Sequence, residues 1–422
     1  MAALRKVCEQ VCQSGRVAAA AAAAAEVPSA AAGLLPDSPI TAPSAWSGSE
    51  LLADEGSWRV YLGPAELQEL GVAAVTIAAR QLRPPALALE ELALGPCCAE
   101  IAARVRDGLN RGRGFALLHG FPVGGDPDDV AALFSRFCCE VGVAVTQNSQ
   151  AGLVHFVTDG KRRPQMGNRD VGNPKSEVRL HVDLSDCVSL LCVQQATDSP
   201  ASRVASTPNM YNQCLHERPG LLPRLRRGYR WTRNAEATPD DMGDPSPYFV
   251  PVFGLQDTGG DADISPVATR YNPSWIGKGS DPANAVAPPC DGGHWAPPSE
   301  ADFGAGDADA FAFLTQTLNE HRLEFQFGRG DVQFCNNHVC THGREPHLPV
   351  EDEELKRLLV RVWMDLPGAA RLAEEPIQRF GTIRHGEPLT LLLPNNTVCF
   401  IILLRFHLPL PAACRKLGLH SC

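Results

Sequence analysis

Apolar residues recur at helical spacing through LGPAELQELGVAAVTIAARQL (62–82), which opens on Pro64 and Glu66. This spacing predicts an amphipathic helix with a conventional start. CCAEIAARVRDGLNRGRG (97–114) repeats the pattern and ends in glycines, and DPDDVAALFSRFCCEVG (126–142) begins with capping acids and continues as a third helix. Between the last two, FALLHGFPV (115–123) is a short apolar strand leading into a Gly/Asp turn. The pattern then changes to runs rich in Val and Leu: VRLHVDLSDCVSLLCVQQA (178–196), PYFVPVFGL (247–255), ATRYNP (268–273), GDVQFCNNHVCTHG (330–343) and RLLVRVWMDLP (357–367). These strands do not alternate regularly with helices. The expectation is a mainly β, α+β chain with flanking helices, not a doubly wound sheet.

Three stretches break the pattern. The first 41 residues carry Arg5, Lys6 and Arg16 before an alanine run, fitting either an organellar transit peptide or an alanine-rich, disordered extension. Residues 277–310 are rich in Pro, Gly, Ala and Asp and read as an inserted loop, placed before the last helix where it could act as a lid. Residues 387–422 differ in composition from the core and remain unassigned. One domain is therefore expected over 42–386.

Composition narrows the function classes. A net charge of -10 argues against a nucleic-acid or anionic-membrane partner, each of which needs a basic surface. Fifteen cysteines form no zinc-ribbon spacing, and Cys97-Cys98 and Cys138-Cys139 sit in apolar, helix-like surroundings. Buried reduced thiols of an intracellular protein, cytoplasmic or organellar, are expected. No run of about 20 strongly apolar residues predicts a membrane span.

Candidate chemistry begins at RLHVDLSD (179–186). His181 and Asp183 are two apart on a predicted strand and so face one point. Two histidines and one carboxylate on one face of an octahedron suit Fe(II), leaving the opposite face open. GDVQFCNNHVCTHGREPH offers His338, His342 and His347 as third ligand.

In order along the chain, LHVDLSD, ASRVAST, GDVQFCNNHVCTHGR and KRLLVRVWMDLP resemble the Fe(II)/2-oxoglutarate-dependent oxygenases of the TauD/TfdA family, with GFALLHGFPV, TQNSQ (146–150) and TPNMYNQCLHERPGLL also fitting. The resemblance implies a double-stranded β-helix (jelly-roll) core, and O2 and 2-oxoglutarate as co-substrates. It also implies oxidation, by hydroxylation in the first instance, of a small organic substrate with release of succinate and CO2. By it, His181 and Asp183 match the first two iron ligands and His342, ahead of Gly-Arg, the third. Arg357 matches the residue that anchors the distal carboxylate of 2-oxoglutarate, and Arg361 the one nearer the metal. An arginine between leucines and valines on a strand is costly to bury without an anion, and a guanidinium can pair with both carboxylate oxygens. Ser202, in SPAS, takes the hydroxyl position of a loop whose usual glycines are absent. His338, on the strand face of His342, Tyr271 and Trp231 are candidates for the substrate pocket. The carboxylate at 183 argues against the halogenating variants, in which a small residue frees a site for halide. Two alternatives stand beside an active oxygenase: a non-catalytic barrel that retains metal, and a hydroxylase of betaine-type or protein substrates.

Overall fold

Thirteen strands and eight α-helices account for the described residues of the computed structural model, which are 34–84, 92–147, 152–158, 174–196, 198–232, 246, 249–281, 283, 299 and 302–369. The strands are β1 (Arg59–Tyr61), β2 (Phe115–His119), β3 (Val143–Val145), β4 (His155–Val157), β5 (Val178–His181), β6 (Cys187–Gln194) and β7 (Ser202–Ser206). They continue with β8 (Phe253–Leu255), β9 (Val267–Thr269), β10 (Leu323–Phe325), β11 (Val332–Asn336), β12 (Cys340–Arg344) and β13 (Leu358–Asp365). A seven-stranded sheet runs β1-β2-β11-β6-β13-β3, with β4 also paired to β13, and a four-stranded sheet runs β10-β7-β12-β5. The protein is thus a mixed α+β fold.

Three helices, Pro64–Arg80, Pro96–Asn110 and Pro127–Val141, cover one face of the larger sheet. Their starts follow from sequence: Glu66 Oε2 accepts from the Gly63 N–H at 2.9 Å, and Asp126 Oδ1 accepts from the Asp128 N–H at 2.7 Å. Phe121, Phe134 and Phe137 of this layer pack edge to face, in one core with Leu118, Leu191, Val360 and Val362 of the sheet. β6 and β13 are buried along both faces, as expected of central strands covered on both sides.

Helices are not confined to the first part of the chain. Thr207–Glu217 starts on Ser206, whose hydroxyl accepts from the Asn209 N–H at 3.0 Å, and Pro273–Gly279 starts on Asn272, whose side chain accepts from the Trp275 N–H at 3.1 Å. Each cap is followed closely by proline, so a helix begins where strand-like residues end. ATRYNP consequently yields only the three-residue β9, and the insertion is bounded by helices Pro273–Gly279 and Ala305–Glu320 that trim both its ends. The lid role assigned to it rests largely on 284–298, outside the described residues.

Packed structure also begins earlier than residue 42. The Tyr211 hydroxyl donates to the Pro36 carbonyl, and the Asn212 amide bonds both the N–H and the carbonyl of Ile40 at 2.7 and 2.9 Å. Residues 1–33 and 370–422, which hold the alanine run and the unassigned tail, lie outside the described residues. Among the described residues no helix is long and apolar enough to cross a membrane.

The hairpin β11–β12 matters most for function. Its first strand lies in the large sheet and its second in the small one, so its turn, Asn337–Val339, ties the two together.

Candidate metal centre

His181 ends β5, Asp183 follows two residues later, and His342 is directly opposite His181 on β12. One ligand atom from each of the three lies within 4.8 Å of the others. His181 Nε2 is 3.6 Å from Asp183 Oδ1, and His342 Nε2 is 3.7 Å from Asp183 Oδ2. His181 Nδ1 lies 2.7 Å from the Arg179 carbonyl, which assigns the proton there and leaves the Nε2 lone pair facing the cluster. Two imidazoles and one carboxylate with converging atoms fit Fe(II).

β5 carries a bulge here: His342 pairs with His181 but Arg344 with Val178, so one extra residue of β5 stands opposite Gly343. A Cβ on Gly343 would lie 2.5 Å from the Val178 carbonyl oxygen. The glycine after His342 therefore lets the bulged strand approach.

Charge at the centre is uneven. Burial raises the Asp183 carboxyl pKa, but Arg361, His181 and His342 outweigh it and hold the group well below the usual carboxylate range. His342 is lowered from 6.5 to about 3, first by burial and then by His181 and Arg361, against an opposing pull from Asp183. Its imidazole is neutral at physiological pH and needs no deprotonation to bind metal. The unfolded chain protonates this histidine near 6.5 while the folded chain does not, so stability is lost as pH falls from about 6.5 towards 3. Metal-free protein is expected to have a lower urea midpoint at pH 5 than at pH 7, with His342→Gln showing a smaller difference.

Side chains distant in sequence hold the carboxylate. Trp363 Nε1 donates to Asp183 Oδ2 at 2.8 Å, and Arg361 Nη1 is 3.6 Å from the same oxygen. Asn337 Oδ1 accepts from the Asp183 N–H at 3.0 Å while its amide donates to the Ser185 carbonyl at 2.9 Å. Gln147 Oε1 in turn accepts from Arg361 Nε at 2.8 Å. Such outer contacts commonly carry a 10- to 100-fold effect on metal affinity, so Trp363→Phe is expected to weaken Fe(II) binding by about 10-fold, read by anaerobic titration.

Arg357, immediately before β13, is buried, and its Nε donates to Gln195 Oε1 at 3.2 Å. Among the described residues no carboxylate pairs with it. Burial, and secondarily the neighbouring Arg344, lower its pKa to about 10. Arg344 is itself paired in register with Ser202, the buried first residue of β7. Arg344 Nη1 donates to the Ser176 and Glu345 carbonyls at 3.0 Å, and its charge and that of Arg357 repel, an arrangement that a bound anion would relieve.

A model of the taurine catabolism dioxygenase TauD/TfdA family matches residues 89–363. The chain belongs to the TauD/TfdA family. As a member it is an Fe(II)- and 2-oxoglutarate-dependent oxygenase that consumes O2. A taurine hydroxylase-like protein, SAT17, from Stachybotrys chartarum is 24% identical over 340 residues, 78% of this chain and 80% of that one. Among solved structures, a mutant of the non-haem iron oxygenase OrfP in complex with (3S)-hydroxy-L-Arg is similar at 16% identity and TM-score 0.49, over 73% of this chain and 93% of that one. An asparagine oxygenase with Fe(II), 2S,3S-3-hydroxyasparagine and succinate is similar at 17% identity and TM-score 0.47, over the same shares.

The other TauD/TfdA candidates fall in different places. His338 does not share a strand face with His342: it lies in the hairpin turn, fully buried, with Nε2 3.0 Å from Asp186 Oδ1 and 3.4 Å from Arg270 Nη2. Asp186 Oδ2 also accepts from the Leu366 N–H at 3.0 Å, so this cluster braces the turn against the end of β13. Tyr271 is buried, its hydroxyl 2.8 Å from Thr315 Oγ1, and its carbonyl accepts from the Val182 N–H at 2.9 Å, between the two ligands of the His-x-Asp segment. Trp231 packs edge to face on Trp275 and is buried, away from the ligand cluster's hydrogen bonds. His347 is half-buried in the loop after β12. Within TQNSQ, Gln147 is the residue that reaches the site, while 148–150 lie outside the described residues. Sequence reasoning left Asn337, Trp363, Gln147 and Arg344 without roles, although each sits in a stretch quoted for the family resemblance.

Proposed function

We propose that this protein hydroxylates a C–H bond of a small organic substrate, with iron held by His181, Asp183 and His342. Arg357, with Ser202, takes the distal carboxylate of 2-oxoglutarate, and Arg361 stands beside the metal. The two sheets are the halves of a jelly-roll core within a domain spanning about 42–386. One observation carries this most directly: three metal-binding side chains converge on one point, with the buried Arg361 3.6 Å from their carboxylate. Arg357, four residues earlier in the chain, is buried with no described carboxylate to neutralise it. The hydroxylase-like description of the Stachybotrys relative supports the choice of reaction.

Bound there, iron and 2-oxoglutarate would supply the oxidant, with succinate and CO2 as the other products. The chain's own residues bind, orient and exclude. Trp363 and Arg361 fix the ionised Asp183, so the ligand set keeps its charge and direction. Gln147 holds Arg361, which also stacks over Trp363 with its guanidinium 4.7 Å from the ring centroid. Burial of all four residues keeps water from competing for the carboxylate.

The test is anaerobic addition of Fe(II) and 2-oxoglutarate. A weak visible charge-transfer band is expected, absent in His181→Ala and weakened in Arg357→Ala. A wild-type protein with no band, and no 2-oxoglutarate-dependent succinate formation in air, would remove the proposal.

A further inference from the structure

All described cysteines are free, and two of them flank the turn of the hairpin β11–β12. The Val339 N–H donates to the Asn336 carbonyl at 3.1 Å, closing a four-residue turn with Cys335 before it and Cys340 after it. The two thiols are in hydrogen-bond contact, a separation from which a disulfide closes by side-chain rotation. Cys187 is near enough to act on both electrostatically, but it belongs to the core shared with the helix layer. Phe334, next to Cys335 on β11, is also in that core, so Cys335 points to the opposite face of the large sheet.

Two short routes lead from this pair to the metal cluster. Cys340 and His342 are two apart on β12, so they share a face and lie about 7 Å apart along the strand. Across the large sheet, Cys335 pairs with Val188 and Val188 with Trp363, the residue that donates to Asp183. Paired residues point the same way, which puts Cys335 and Trp363 in one row, about 10 Å apart across two strand spacings. Both thiols are fully buried, so reagents in bulk water reach them only if the fold opens. An oxidant generated between the sheets has no such barrier.

We propose that Cys335 and Cys340 form an internal dithiol that is oxidised to a disulfide when the enzyme consumes O2 and 2-oxoglutarate without substrate. This rests on the oxygenase site proposed above. S–H bonds are weaker than the aliphatic C–H bonds that such an oxygenase breaks, so the pair is the easier target. In balance, 2-oxoglutarate, O2 and two R–SH give succinate, CO2, H2O and R–S–S–R. O2 takes two electrons from 2-oxoglutarate, which loses CO2, and two from the sulfurs. One oxygen atom enters succinate, and the other leaves as water with both thiol protons. Two S–H bonds break and one S–S bond forms. Trp363 and His342, which flank and hold the metal site, are thereby spared.

The test incubates the full-length chain with Fe(II) and 2-oxoglutarate in air without substrate. Free thiols are then alkylated under denaturing conditions and the chain is digested with trypsin. One peptide, residues 330–344, carries both cysteines and no internal Lys or Arg. Expected is that peptide unalkylated and lighter by two hydrogen atoms, with one disulfide per succinate released. It should be fully alkylated when O2 or 2-oxoglutarate is withheld, and when hydrogen peroxide is added to the metal-free folded chain. In Cys335→Ala and in Cys340→Ala the disulfide is lost, and added oxygen appears on other peptides instead. Succinate released with both thiols still alkylated, a bridge from either one to Cys187, or equal disulfide formation with peroxide alone would overturn the proposal and leave the oxygenase function in place. No succinate at all would remove both.

Discussion

Asp183→Ala is expected to lower 2-oxoglutarate-dependent succinate formation by about a thousand-fold or more, because metal catalysis supplies several kcal/mol that depend on the ligand set. Asp183 is the only anion of the cluster. Both of its oxygens are engaged, Oδ1 towards His181 and Oδ2 towards Trp363, His342 and Arg361. Removing it leaves two neutral imidazoles to hold a divalent ion beside a guanidinium, an arrangement in which the nearest fixed charge is repulsive. Fe(II) affinity should therefore fall together with turnover. Asp183→Asn separates shape from charge: it can still accept from Trp363, so if charge holds the metal it should resemble the alanine variant. Anaerobic iron titration alongside succinate release checks both; near-normal iron affinity in Asp183→Asn would contradict the account.

Arg357→Met is expected to raise the KM for 2-oxoglutarate by about a hundred-fold, with a smaller change in kcat at saturation. Truncating one member of a buried charged pair costs roughly 2–5 kcal/mol of binding. The guanidinium's own burial should make the effect asymmetric between states. Without an anion, Arg357 sits desolvated beside Arg344, with its pKa lowered to about 10. Replacing it with an apolar chain should thus cost the ligand-free protein little stability. Excess 2-oxoglutarate, by contrast, should raise the melting temperature of the wild type and leave the variant's almost unchanged, since only a ligand that binds the folded state stabilises it. A variant that melts far below wild type without ligand, yet still gains from 2-oxoglutarate, would show that Arg357 serves packing instead.

How much of this was visible in the sequence varied with the distance over which a residue acts. His181 and Asp183 were legible as a pair because two residues on a strand share a direction and both types bind metal. The three early helices were legible because their apolar faces repeat and their caps are local. His342 was separable from His338 only through the Gly-Arg that follows it, and the geometric reason is the clash a Cβ at 343 would make with the bulged β5. His338 looked strand-like because Asn337–Val339 lies between two β runs with no glycine or proline to announce a turn; side-chain bonds from Asn336, Asn337 and Asp186 supply what turn residues would otherwise provide. Trp363 and Gln147 could not be given roles because their partners, Asp183 and Arg361, lie 180 and 214 positions away. Ile40 and Pro36 resembled a loose leader for the same reason: the helix Thr207–Glu217 that fastens them is remote in the chain.

Among the described residues, the segment between β7 and β10 contains four α-helices and two short strands, yet it contributes no ligand to the metal cluster and neither of the paired arginines at 357 and 361. The metal ligands and the two arginines are therefore written in other lengths of polypeptide than this segment. Exchanging residues 207–322 for another sequence of the same span should leave the ligand set in place only if a carbonyl still reaches Val182 and donors still reach the hairpin turn as Thr269 and Arg270 do.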